Sequence, residues 1–199
     1  MIGIVIGGPT GGGKTELSIK LAKILDAVII NCDSMQIYKE MNIGTAKIKE
    51  EEKNGIPHYM IDIIEPIDKY SVGDYYVEVN NLLNNLEKEE KNVVFVGGTG
   101  LHIDAITEGL SKLPPANTEF REKIKNIETE ILYRRLLELD PKGAEEIHFN
   151  NRVKIERALE VCEVTGEKFS VLNKKNIKGN NYEFLKIGLI EIEKFYMIG

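Results

Sequence analysis

Residues 2–15 read IGIVIGGPTGGGKT, and the fold turns on this stretch. Ile2–Ile6 is an almost unbroken apolar run, the way a strand buried on both faces of a parallel sheet reads. Gly8 to Thr15 then fits G-x-x-x-x-G-K-[ST] with no slack. Thr15–Leu25 follows with Leu17, Leu21, Ala22, Ile24 and Leu25 as a helical stripe. Strand, glycine loop and helix in this order make an anion cradle. Gly8, Pro9, Thr10, Gly11, Gly12 and Gly13 let successive N–H groups converge on one ligand, and the helix N-terminus adds partial positive charge. Lys14 supplies a mobile point charge, and the Thr15 hydroxyl can ligate Mg²⁺. The plain alternative is a glycine-rich turn with no ligand. The full match in its strand-to-helix setting favours a diphosphate or triphosphate site.

Outward from the loop, short apolar runs alternate with amphipathic segments, the pattern of a parallel sheet flanked by helices. Ala27–Asn31 is expected as a second strand and His58–Ile64 as a third. Ser71 caps a helix through Leu86 with Val72, Tyr75, Tyr76, Val79, Leu82, Leu83 and Leu86 facing inward. Val93–Val96 reads as a central strand. After Leu113 the texture changes: Pro114-Pro115 ends the preceding helix, and no convincing strand follows for a long stretch. Helices are expected over Thr118–Ile127, Thr129–Leu139, Pro141–Ile147 and Asn151–Thr165, the last stopped by Gly166. Asn173–Asn181 reads as a polar loop and Phe184–Ile192 as a strand returning to the sheet. The expected organisation is an α/β core (1–115), a helical insertion (116–181) and a returning strand (182–199).

Composition narrows the class. A chain of 199 residues, 42% hydrophobic and 29% charged, is long enough for one core and too apolar to be disordered. No apolar run reaches the roughly 18 residues of a membrane span, and the N-terminus lacks a signal-peptide pattern, so a cytoplasmic protein is expected. Cys32 and Cys162 are far apart with no neighbouring ligand, which suits reduced, half-buried thiols. The net charge of −6 argues against a nucleic-acid binder, yet 148–182 carries 7 basic against 4 acidic residues, a local face that permits RNA contact.

Asp33 lies just past the second strand, and ligands of open parallel sheets sit outside the carboxyl ends of strands. An acid there could hold Mg²⁺, bind a ribose hydroxyl, act as a general base, or merely cap the next segment. Asp62 is a rival, with a mid-strand position that suits a structural role. The apolar strand ends in Gly97-Gly98-Thr99, where hydrolysis-driven machines place a Mg²⁺-holding Asp. That absence speaks against such a machine.

GPTGGGKT (8–15), NCDSMQIYKEMNIGTAK (31–47), PHYMIDI (57–63), YSVGDY (70–75), VGGTGLHIDAI (96–106) and HFNNRVKIERALEVCEVTG (148–166) together resemble the tRNA dimethylallyltransferase family. The resemblance covers residues 1 to about 190 in order and spacing. It implies a P-loop NTPase-like α/β fold with a parallel sheet, and transfer of a dimethylallyl group from dimethylallyl diphosphate to N6 of adenosine 37 in tRNA. On that footing Gly8–Thr15 would hold the diphosphate of the donor rather than ATP, with Lys14 and Thr15 on phosphates and Mg²⁺. Asp33 would be the general base, and Asp33, Ser34, Met35 and Gln36 would surround the extruded adenine. Thr99 matches a position near the reacting centre and the tRNA, and Arg121 a tRNA contact. Val153, Lys154, Ile155, Glu156 and Arg157 would lie against the anticodon stem-loop. A monomer without membrane contact is expected.

Four departures stand out. His102 replaces the family's Tyr, Phe149 the Pro and Lys154 an Arg of its motifs, and the chain stops at Gly199, before a further helical segment. Reduced transfer is the expectation from that stop. Two rival readings are a small-molecule or nucleotide kinase, with Arg134, Arg135, Arg152 and Arg157 in a lid, and a non-catalytic tRNA-binding remnant.

Overall fold

A computed structural model describes residues 2–175 and 182–190. The chain divides into two compact units, 1–109 with 179–199, and 110–178. The first unit is built on a parallel sheet of β1 (Gly3–Gly7), β2 (Ala27–Asn31), β3 (His58–Tyr59), β4 (Asn92–Gly97) and β5 (Phe184–Gly188), in the order β3-β2-β4-β1-β5. Its helices are α1 (Lys14–Leu25), α2 (Val72–Lys88) and α3 (Gly100–Glu108). Alternation along the strands sorts the core into two layers. Val5, Val28, Ile30, Val93 and Phe95 join Tyr75, Val79, Leu83 and Leu86 of α2 on one face. Ile4, Ile6, Ala27, Ile29 and Val94 join Ala22 of α1 on the other. Central β4, apolar on both faces, belongs to both layers.

Ser71 caps α2 as expected: its Oγ accepts from the Asp74 N–H while the Asp74 carboxylate accepts from the Ser71 N–H. The expected third strand shrinks to His58–Tyr59. Met60 and Asp62 take left-handed φ values of 61° and 55°, which end the pairing with β2. Beyond them the chain hydrogen-bonds to 36–39 instead: Asp62 N to Gln36 O, Ile63 N to Ile37 O, and Lys39 N to Ile64 O. Asp62 is therefore not a strand residue. Likewise α3 ends at Glu108, where Gly109 takes a φ of 92°, and not at Pro114-Pro115.

The second unit consists of α4 (Thr118–Ile124), α5 (Thr129–Leu139), α6 (Pro141–Glu145), α7 (Arg152–Thr165) and α8 (Phe169–Lys175). Ile124, Leu132, Leu136, Ala144, Ile147, Ile155, Ala158 and Leu159 form its core. Asn117 caps α4 and Asn151 caps α7, each accepting from an N–H three residues on, and Gly166 ends α7 at a φ of 70°. Helix α8 occupies the start of the expected polar loop. It is held by Phe169 against the core and by Ser170, whose N–H and hydroxyl donate to buried Asp140 at 2.7 Å each. The rest of that loop, and the end of the expected last strand at 191–192, lie outside the described residues. No described helix is long and apolar enough to cross a membrane.

Candidate active site

Because every strand pairing in the first unit is parallel, the loops after β1, β2 and β4 gather at one edge of the sheet. Gly13 caps α1 with a φ of 77°, a conformation a side chain would strain. The loop closes on itself: Gly12 N donates to Pro9 O at 3.2 Å, and Lys14 Nζ donates to the same carbonyl at 2.6 Å. Lys14 and Thr15 line a cavity of about 90 Å³ with Thr10, Asn31, Asp33 and Gln36. A larger open cleft of about 570 Å³ flanks α1 and shares Thr15 and Ala46. Both acids in its lining are engaged: Glu16 pairs with Lys20, and Glu52 accepts from the Lys49 N–H.

Asp33 is fixed on all sides. Its Oδ1 accepts from Met35 N at 2.9 Å, and among the described residues its second carboxylate oxygen has no protein partner. The preceding backbone is pinned by Cys32 N to Val96 O and by Tyr75 Oη donating to Asn31 O at 2.9 Å. Ser34 N donates to Thr99 Oγ1 at 3.0 Å, and Thr99 N to Cys32 O. Thr99 thus braces Ser34 and does not line the cavity. The close approach of β4 to β2 also explains the missing strand-end carboxylate. A Cβ at Gly97 would sit 2.3 Å from the Cys32 carbonyl carbon, so no side chain fits there.

Burial pushes the Cys32 thiol up to about 12, against the smaller opposing effect of its bond to Tyr75, so it is unreactive at neutral pH. His102 is buried and stacks on Tyr75 with ring centroids 4.1 Å apart. Burial lowers its pKa, with Asp33 acting the other way, which favours the neutral ring. The His102 departure is accommodated as packing beneath the site.

Met35 is exposed, while Gln36 Nε2 donates to Thr45 O at 3.0 Å and ties the Asp33 loop to residues 44–47. Lys47, at the end of the IGTAK stretch, has a 4% exposed side chain; its Nζ donates to Tyr38 O at 2.6 Å and pairs with Asp62. Replacing a buried cation that satisfies two acceptors leaves both without their donor. Lys47→Met is expected to cost about 1–3 kcal/mol, read as a lower urea midpoint at unchanged slope. Wild-type stability in that variant would show the latch to be idle.

In the second unit, Arg121 and Arg157 converge on Glu160, whose carboxylate is fully buried. Ile155 is also fully buried, in the core, because α7 turns that face inward; it offers no side chain to a ligand. Glu156 pairs with Arg152 at 2.7 Å, so Val153 and Lys154 are the exposed members of the stretch. The lid arginines of the kinase reading are largely engaged too. Arg134 pairs with Glu130, and Arg152 donates to the carbonyls of Ile124, Lys125 and Ile127.

The sheet, the glycine loop and the acid facing it define an α/β protein of the P-loop NTPase-like class. The IPP transferase family model matches residues 36–197. A tRNA dimethylallyltransferase of Fusobacterium nucleatum is 54% identical over 94% of this chain and 61% of its own length. One from a Sulfurihydrogenibium species is 45% identical over 92% and 60%. Among solved structures, a eukaryotic dimethylallyltransferase acting on tRNA superposes with a TM-score of 0.80 at 27% identity, covering 95% of this chain and 48% of that one. The tRNA isopentenylpyrophosphate transferase of Staphylococcus epidermidis gives 0.56 at 35% identity, with 94% and 62% covered. The chain belongs to the IPP transferase family, and it spans about three-fifths of the length of these curated relatives.

Proposed function

We propose that this site transfers a dimethylallyl group from dimethylallyl diphosphate to N6 of adenosine 37 in tRNA. The observation that carries the reading is the shared cavity: Lys14 and Thr15 of the phosphate loop line it together with Asp33. The N6–carbon bond forms as the carbon–oxygen bond to diphosphate breaks, and the proton lost from N6 goes to the unpaired oxygen of Asp33. An exocyclic amine is a poor nucleophile until that proton leaves, so a positioned carboxylate accelerates the step. Charge gathers on the departing diphosphate, where the loop N–H groups and Lys14, swung from the Pro9 carbonyl, act most strongly.

The Thr15 hydroxyl in that cavity suits Mg²⁺, which takes few protein ligands and fills its shell with phosphate oxygens and water. When bound, the ion would neutralise charge on the diphosphate. Asp33, Ser34, Met35 and Gln36 would receive an adenine drawn out of its stack, at a cost of a few kcal/mol that a loop nucleotide keeps low. Arg121, Val153 and Lys154 carry the proposed contacts to the anticodon stem-loop, with the second unit as the RNA-binding part.

The test incubates the chain with Mg²⁺, dimethylallyl diphosphate and unmodified tRNA and looks by mass spectrometry for prenylated adenosine at position 37. Its appearance is expected. Phosphate transfer from ATP to a small acceptor with no prenyl incorporation would replace this reading by the kinase one. RNA binding without transfer would leave only a binding module.

A further inference from the structure

The side chain of Asn31 is buried at the end of β2, within the cavity lining, and every polar hydrogen it owns is used. Its Nδ2 donates to Asp33 O at 3.1 Å and to Met60 O at 3.0 Å, and its Oδ1 accepts from Asp33 N at 3.2 Å. One amide therefore grips both ends of residue 33 and ties them to the chain just past β3. Met60 is itself buried and held at a φ of 61°, a conformation that persists in a methionine only where its surroundings over-determine it. The Asn31 main-chain carbonyl is anchored separately by Tyr75.

We propose that Asn31 is the positioning residue for the base: its amide sets the Asp33 peptide, and so the direction in which the free carboxylate oxygen faces the phosphate loop. This rests on the prenyl-transfer reading and adds to it a residue whose side-chain polar atoms are spent on main-chain partners. Cys32 and Ser34 are anchored through Val96 and Thr99, but the N–H and carbonyl of residue 33 itself bond to the Asn31 amide, so without it the peptide between those anchors could rotate. With the amide in place, the peptide on each side of residue 33 is fixed to a second segment of the sheet edge. Misplacement by about an ångström is enough to cost on the order of a hundredfold in rate.

The experiment compares wild type, Asn31→Ala and Asn31→Ser by amide hydrogen exchange and by single-turnover transfer to tRNA. In Asn31→Ala the amides of Asp33, Ser34 and Met35 should exchange at least about tenfold faster, with those of β4 unchanged. The transfer rate at saturating substrates should fall about ten- to a hundredfold, while affinity for Mg²⁺-pyrophosphate stays within about twofold. Asn31→Ser, whose hydroxyl can still accept from the Asp33 N–H, should fall between the two. It carries the comparison if the alanine variant does not fold. Unchanged exchange at 33–35 would overturn the role of Asn31, whatever the rate does. Faster exchange with wild-type turnover, or a parallel loss of pyrophosphate affinity, would overturn it as a device for placing the base. Absence of transfer by the wild-type chain would sink the enzymatic reading and the catalytic consequence with it, while the exchange data still decide whether the amide fixes the loop.

Discussion

Asp33→Asn is expected to lower prenyl transfer by about 10²–10⁴-fold while leaving pyrophosphate binding and the fold intact. The reason lies in how the two carboxylate oxygens are divided. Oδ1 serves structure, accepting from Met35 N, and an asparagine carbonyl at the same place accepts that bond equally well. The Asn31 amide binds only main-chain atoms of residue 33, so its grip also survives the substitution. What changes is the other atom, an oxygen that can take a proton, replaced by an amide that cannot. Lys14 and Thr15 lie on a separate loop, whose closing bonds to Pro9 do not involve residue 33. Single-turnover rates with dimethylallyl diphosphate and tRNA, beside pyrophosphate binding by calorimetry, separate the two effects. A variant retaining more than about a tenth of the wild-type rate would move the base elsewhere. Equal losses in rate and in pyrophosphate affinity would make Asp33 a structural residue of the phosphate site.

Much of this site was legible in the sequence because its parts are local. A glycine loop between an apolar run and a helical stripe needs only neighbours in the chain to be read, and the strand-end position of Asp33 follows from the run before it. The core strands were readable for the same reason, being apolar on both faces. What escaped were features that exist only after folding. His58–Ile64 looks like a strand, yet Met60 and Asp62 turn it off the sheet, and the backbone beyond pairs with residues 36–39 while Met60 and Ile63 pack in the core. Helix α8 has seven residues and a polar end, and its placement depends on Asp140, which lies 30 residues before Ser170. Asn31 reads as the last residue of a strand, and Lys47 as one lysine among many. Each became informative only through partners distant in sequence, Met60 for the one and Asp62 for the other.

Glu160 is the extreme case of that kind, and the largest stability effect is expected there. On a helix it reads as one more solvated acid, but folding closes around it. Arg121 holds it through two bonds of 2.8 and 2.9 Å, Arg157 adds a third, and Asn117 N donates at 2.7 Å. Arg157 also donates to Pro114 O, so this carboxylate ties the segment leading into α4 to the middle of α7. Burial by itself would raise its pKa, but the two arginines and the Asn117 N–H outweigh that and hold it below the ordinary carboxylate range. Glu160→Ala removes the acceptor and leaves two guanidinium groups facing each other. Breaking a buried pair in this way costs about 3–5 kcal/mol, and the partial exposure of the arginines, 48% and 29%, places the expected loss toward the lower end. Denaturant unfolding followed by circular dichroism at 222 nm reads it, with exposed Glu163→Ala on the same helix as a control expected to stay within about 0.5 kcal/mol. The effect also has a pH signature. A depressed carboxylate contributes its full stability above the unfolded pKa of about 4.3 and loses it as pH falls through the lower folded value. The gap between wild type and Glu160→Ala should therefore be constant near neutrality and narrow below about pH 4.3. A gap that held steady into acid would mean that the missing stabilisation is packing, not charge.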